Sequence, residues 1–264
     1  MSYKTLIVKK EGHVATVVLN RPEKLNALRA DIMTEIGEVA DSFQHDYETR
    51  VVVFTGEGRY FSSGADLSNP DAGKMAEATT LERQRHSTLG QRMTAKLLAM
   101  NQITIAAING GAIGGGAVVA SALDFRVAAD DSFVSYPEIN LGLSLSWYGL
   151  PLALRLVGPA RAKRLVIGGA RESAQTLLEW GFYDEIVPLD QLMDRAMEMA
   201  EFYAAKPPIP AQMIKRSVNA LSGAMDQAIM HMDADQLMVA SGTKDSIKAK
   251  AEFFEDGTPE FRGD

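Results

Sequence analysis

The chain has 264 residues, 46% hydrophobic and 23% charged, which suits one large soluble domain or two modest ones and argues against disorder. It has no cysteine, so disulfides, thiolate chemistry and Cys-based zinc sites are excluded, and the four scattered histidines (His13, His45, His86, His231) lack metal-ligand spacing, so no metal is expected. A net charge of −7 makes duplex nucleic acid a poor partner. The chain has no apolar run of the roughly 18–20 residues that span a bilayer, and Met1-Ser2-Tyr3-Lys4 lacks a signal peptide's apolar stretch, so a soluble cytoplasmic protein is expected.

In chain order, the β-branched runs 4–9 and 14–19, separated by Glu11-Gly12, predict a hairpin. Ile32, Ile36, Val39 and Phe43 recur at helical spacing and predict a helix over 29–44. The continuous apolar runs 50–55, 103–108 and 124–129 predict strands buried on both faces. Between them lie a Gly/Ser/Asn/Pro/Asp-rich loop at 60–73, a long helix at 75–100, and a glycine-dense turn at 110–116 opening a small-residue helix at 115–122. This alternation predicts an α/β domain with parallel pairing. After about residue 188 only helices are expected, near 190–204, 210–221 and 224–254. Lys206-Pro-Pro-Ile-Pro210 separates the first two.

Three segments carry chemistry. Phe61-Ser62-Ser63-Gly64-Ala65-Asp66-Leu67 and Asn109–Gly116 are glycine-bearing turns that each follow a strand, where α/β proteins place ligands. Residue 115 also opens a helix, whose free amides favour a developing negative charge. Either turn alone reads equally well as a tight turn, but an oxyanion hole needs two convergent donors. Neither turn fits a dinucleotide or P-loop fingerprint. The third segment holds Glu138, the only acid between Asp131 and Glu172, in an apolar stretch. Such surroundings favour the neutral carboxyl and raise its proton affinity toward acid–base range. A solvent-facing loop glutamate is the plainer alternative.

With these residues in view, the chain resembles the crotonase superfamily, the enoyl-CoA hydratase/isomerase family, along nearly its whole length. Arg21-Pro-Glu-Lys-Leu-Asn-Ala-Leu28 resembles R-P-x-x-x-N-A-L, and Phe61–Leu67 resembles F-x-x-G-A-D-[IL]. Ala106–Gly116 resembles A-A-[IV]-N-G-x-A-x-G-G-G, and Pro137–Gly142 resembles P-E-[IV]-x-[LI]-G. The tail Phe253–Gly263 resembles F-x-E-x-R-x-P-x-F-x-G. The resemblance implies a spiral of ββα units over residues 1–200 and a C-terminal helical trimerisation region over 201–264, forming a homotrimer or a dimer of trimers. It implies an acyl-CoA substrate, with coenzyme A as part of it and no separate cofactor. The amides of Ala65 and Gly115 would hold the thioester oxygen, with Gly114 and Trp147 among the residues that bind the CoA ester. Ser62, Ser63, Gly64, Ala65, Asp66, Lys24 and Leu25 would lie along CoA, with Lys24 near its phosphates. Asp66 reads better as a turn residue than as an acid, and Trp147 and Tyr148 as wall or core.

The departures narrow the activity. Where hydratases of the family carry a second glutamate, this chain has Val118, while Glu138 keeps the other. One carboxyl suffices to carry a proton across an allylic enolate, and Val118 makes the site drier, so Δ3,Δ2-enoyl-CoA isomerisation is expected first. Hydration with a reduced acid/base set, or non-catalytic acyl-CoA binding, are the alternatives. Ser146 stands where dienoyl isomerases and dehalogenase-like members place an Asp, which disfavours those activities. Asp256-Gly257 replaces the tail's usual basic pair. Residues 70–100, including Met75, Met93, Leu97 and Met100, are expected to wall the acyl pocket or to belong to the core.

Overall fold

The computed structural model describes residues 3–68, 77–253 and 259–264. The first two β-branched runs pair antiparallel as β1 (Leu6–Glu11) and β2 (Val14–Leu19), turning at Gly12 with φ +57°. The three continuous apolar runs become β3 (Val51–Gly56), β5 (Ile103–Ile108) and β7 (Phe125–Ala129), parallel to β2 and to one another. With β10 (Glu185–Val187) they complete a sheet of order β1-β2-β3-β5-β7-β10.

Both faces of this sheet are covered, as the unbroken apolar runs require. Along β3, Val52 and Phe54 enter one core while Val51 and Val53 enter another. The first core takes Ile32, Ile36, Val39 and Phe43 from α1 (Ala30–Phe43). The second is closed by Leu192, Ala196 and Ala200 of α8 (Leu192–Ala204).

A second sheet was not foreseen. Its strands β4 (Tyr60–Ser62), β6 (Gly111–Ile113), β8 (Phe133–Ser135) and β9 (Glu172–Ser173) are too short to show periodicity. β4, β6 and β8 run parallel, and β9 pairs antiparallel with β8. The chain therefore repeats one move. A strand in the large sheet (β3, β5, β7) is followed by a strand in the small one (β4, β6, β8), and then by helix. This is the expected spiral of ββα units.

Several helices differ from expectation. The helix placed at 75–100 is two, α2 (Thr80–Ser87) and α3 (Leu89–Leu98), with α2 started by a Thr79/Glu82 capping box. The small-residue helix is α4 (Gly115–Ala122), and the region after Glu138 holds α5 (Gly149–Val157), α6 (Pro159–Gly168) and α7 (Ala174–Glu179). Beyond α9 (Pro208–Ser222), the single helix expected at 224–254 is broken into α10 (Gln227–Met230), α11 (Asp233–Ser241) and α12 (Lys244–Glu252). Thr243 caps α12 by accepting the Ser246 amide at 3.1 Å, which ends α11 at Gly242.

One buried ion pair docks α9 on the spiral. Lys215 Nζ donates to Asp124 Oδ2 at 2.7 Å and to the Gln102 carbonyl at 2.6 Å. The outer face of α9 exposes Ile209, Met213, Ile214, Val218 and Leu221. Among the described residues, no helix is long and apolar enough to cross a membrane, and no group of His, Asp or Glu is arranged to hold a metal ion.

Candidate active site

The spiral explains why three distant segments meet. β4, β6 and β8 are adjacent and parallel, so their C-terminal ends lie side by side, about 5 Å apart strand to strand. Gly64-Ala65 follows β4, Gly114-Gly115 follows β6, and Glu138 follows β8. The two glycine turns thus sit at the ends of the short strands, not directly at the ends of the long ones. All of these residues line one cavity of about 500 Å³, together with Ser63, Val118 and Trp147.

Ala65 and Gly115 both line this cavity. Leu28 and Ala65 form a parallel bridge in which the Leu28 amide donates to Gly64 O at 2.7 Å and the Asp66 amide to Leu28 O at 3.0 Å. Alternation along extended chain then turns the Ala65 N–H away from Leu28. Gly115 is the first residue of α4, so its N–H has no acceptor within the helix. The turns touch closely. A Cβ on Gly64 (φ +83°) would meet Ile113 O at 2.5 Å and the Gly115 nitrogen at 3.3 Å, so only glycine permits this approach.

The Arg21–Leu28 motif braces the first of these turns. Asn26 is fully buried and donates to the carbonyls of Glu57 at 2.9 Å and Tyr60 at 2.8 Å, while its Oδ1 accepts the Arg21 amide. Arg21 bonds the Ala27 carbonyl and pairs with Asp66 at 3.2 Å. Burial pushes the Asp66 carboxyl up, but Ser68 and Arg21 outweigh it and hold the group below its ordinary range. Asp66 is therefore a turn residue. The motif was legible, but its bracing role was not, because the two carbonyls to which Asn26 donates lie more than thirty residues away.

Glu138 opens a 3-10 helix (Pro137–Leu141) that Gly142 ends in the left-handed region. Its carboxyl lies beside Gly114, where a Cβ would meet Oε1 at 2.8 Å. The residue is half-buried, but Oε2 is sealed from solvent and has no hydrogen-bond partner among the described residues. Burial pushes this carboxyl up to about 7, and the residue's own backbone N–H opposes the shift. A carboxyl with one oxygen unpartnered and poised near neutrality fits a group that must both take and return a proton. The predicted solvent-facing alternative does not hold.

Trp147 walls the cavity by packing on two glycines. A Cβ on Gly115 would meet Cζ3 of the indole at 2.1 Å, and one on Gly90 would meet Cδ2 at 2.2 Å. Trp147 and Tyr148 both have positive φ, +59° and +68°. Asp233 of α11 holds this costly turn, accepting the Tyr148 amide at 3.0 Å and Gln91 Nε2 at 3.2 Å. Burial raises the Asp233 carboxyl against these hydrogen bonds. Sequence reasoning missed Asp233, because neither its contacts nor left-handed non-glycine residues leave a local pattern.

The remaining expected residues are distributed as follows. Val118 and Ser146 line the cavity. Ser62, Asp66, Lys24 and Leu25 are not among its lining residues. Ser62 is fully buried and its hydroxyl donates to Asn26 O, so it props the turn from behind. Lys24 and Leu25 lie beside the same turn, with Ser63 Oγ 3.5 Å from the Lys24 carbonyl. Met93, Leu97 and Met100 belong to the first core, not to the cavity wall. Met75 and Asp256-Gly257 lie outside the described residues.

A sequence profile described as enoyl-CoA hydratase/isomerase matches residues 9–264. The chain belongs to the enoyl-CoA hydratase/isomerase family. It is 33% identical over 220 residues to the short-chain-enoyl-CoA hydratase of Clostridium acetobutylicum, covering 83% of this chain and 82% of that one. It is 30% identical to the 2,3-dehydroadipyl-CoA hydratase of Escherichia coli over 98% of both chains. Among solved structures, an enoyl-CoA hydratase from Mycobacterium avium subsp. paratuberculosis superposes with a TM-score of 0.87, covering 99% of this chain and all of that one at 23% identity. The crotonase fold read from the motifs is thereby established. Membership of this enzyme family also sets aside the non-catalytic alternative.

Proposed function

We propose that the cavity binds an acyl-CoA thioester with its carbonyl oxygen on the amides of Ala65 and Gly115, and that Glu138 moves a proton at the carbons beside it. In the isomerase form, the Glu138 carboxylate removes a C2 proton from a 3-enoyl-CoA. The C2–H electrons and the double bond delocalise onto the thioester oxygen as a dienolate. The two amides stabilise that charge, and Glu138 returns the proton to C4, leaving a C2–C3 double bond. The observation that carries this reading is Glu138, whose Oε2 has no hydrogen-bond partner among the described residues, in a cavity that is also lined by the apolar Val118, 1% exposed.

A second reading, hydration, has its own support: the relatives from C. acetobutylicum and E. coli are both named hydratases. Here Glu138 would deprotonate water as it adds at C3 of a 2-enoyl-CoA and then protonate C2. The names favour this reaction, which the sequence placed second, whereas the wall at 118 favours isomerisation. Supplying 2-enoyl-CoA and 3-enoyl-CoA separately and following absorbance of the conjugated thioester separates them. Isomerisation creates that absorbance and hydration removes it.

The same proposal includes Lys24 near the CoA phosphates, with Leu25 and residues 63–66 along CoA while the buried Ser62 supports them, and no cofactor beyond the substrate's own CoA. It divides the chain into a catalytic spiral over 1–200 and an oligomerising region over 201–264. The apolar outer face of α9 supports assembly as a trimer or dimer of trimers. A cytoplasmic location belongs with it, because charged CoA thioesters do not cross bilayers unaided.

A further inference from the structure

A second cavity, of about 650 Å³, adjoins the proposed catalytic one. Leu143, Trp147 and Leu237 line both, so these three side chains form the shared wall. Met33 and Met238 add to its apolar lining. The lining also includes three basic residues, Arg83 and His86 from α2 and Lys250 from α12. No aspartate or glutamate is among the described residues that line it, in a chain of net charge −7. Partial desolvation pulls the Lys250 ammonium below its ordinary value, and among the described residues no carboxylate pairs with it.

A cavity that combines apolar side chains with basic ones, and has no carboxylate among its described lining residues, suits an amphipathic chain with an anion at its tip. We propose that this chamber takes the far end of the acyl chain and selects thioesters whose chain terminates in a carboxylate. The proposal rests on the acyl-CoA reading of the first cavity and deepens it by naming the substrate class. The methylenes lie against Trp147 and the methionines, and the terminal carboxylate accepts hydrogen bonds from Arg83 and Lys250, with His86 as a further donor.

CoA phosphates would suit the same cations, so the experiment separates the two anions. The full chain is titrated calorimetrically with saturated CoA monothioesters of increasing length, each with and without an ω-carboxylate, and with free CoA. Saturated esters cannot react, so binding is read apart from turnover. At a matching length, the ω-carboxylate ester is expected to bind about tenfold more tightly, equivalent to ~1.4 kcal/mol. In the Arg83→Gln/Lys250→Gln variant that ratio falls toward one, while affinity for free CoA changes less than twofold. Raising ionic strength on the unmodified protein erodes the same ratio and needs no variant.

The proposal is overturned if no length shows the preference, if the preference survives both the double substitution and high salt, or if free CoA loses as much affinity as the ω-carboxylate ester. The last result would assign the cations to the phosphates. Preference without turnover of any enoyl-CoA would sink the proposed reaction and leave this chamber standing. Turnover without preference would do the reverse.

Discussion

The Glu138 carboxyl lies against the α-carbon of Gly114, so close that a methyl there would meet Oε1 at 2.8 Å. Gly114 immediately precedes the helix-opening amide of Gly115. The proposed acid–base group and the proposed oxyanion donor are thus placed together by contact between two loops, each at the end of a short strand. That contact makes the pH behaviour and the glycine sensitivity of the site predictable.

Glu138 links activity and stability to pH with opposite signs. The base must be ionised, so kcat/KM is expected to rise through about pH 7, where burial has placed the carboxyl. The folded state keeps this proton up to about 7 whereas the unfolded chain releases it near 4.5. The stability contribution is full below the unfolded value and is lost as pH rises through the folded one. The whole loss is on the order of 3 kcal/mol at ~1.4 kcal/mol per unit. Glu138→Gln has no charge to bury, so thermal melts should show it more stable than the parent at pH 8 and nearly equal below pH 5. A variant less stable than the parent at pH 8 would contradict the buried, unpaired carboxyl.

Gly64→Ala should separate the two amides. It combines a left-handed backbone with a collision against Ile113 O and the Gly115 nitrogen. A fall in kcat/KM of about 10²-fold or more is expected, the size of losing one oxyanion donor. Gly12→Ala isolates the backbone effect. Gly12 has φ +57°, yet a methyl there would have no atom within 4 Å, and it lies far from the site in the first hairpin. That variant should lose stability and keep activity. Equal kinetics for both variants would show that the Gly64 contact does not set the site.

Asp233 is expected to act as a positioning residue for the Trp147 wall. Removing its carboxylate leaves the Tyr148 amide without its acceptor and Gln91 with only the Met230 carbonyl, at a cost of about 1.5–3 kcal/mol for hydrogen bonds to a charged group. Asp233→Ala should therefore lower the melting temperature, raise KM and shift the indole fluorescence. Asp233→Asn keeps an oxygen for Tyr148 and should restore most of each. Unchanged fluorescence in the alanine variant would mean that the left-handed turn stands without this brace.

Some of this architecture was readable from local pattern and some was not. Val51–Thr55 and Ile103–Ile108 announce strands covered on both faces, because burial removes polar alternation. Gly64, Gly114 and Gly115 are visible because close approach needs glycine, and Glu138 because a lone acid in apolar chain is conspicuous. β4, β6 and β8 stayed hidden, since three residues carry no period. The break at Thr88 was missed because α2 and α3 meet without proline or glycine at the joint. The Trp147–Tyr148 turn was invisible because its support comes from Asp233, distant in sequence and joined to it only by folding.

The most direct test measures turnover and ligand affinity in Glu138→Gln with both 2-enoyl-CoA and 3-enoyl-CoA. The account predicts that both reactions disappear while CoA-ester binding stays within a few-fold of the parent, because the amides and walls that hold the thioester remain in place. Parent-like conversion of either substrate by the folded variant would show that the proton travels through some other group.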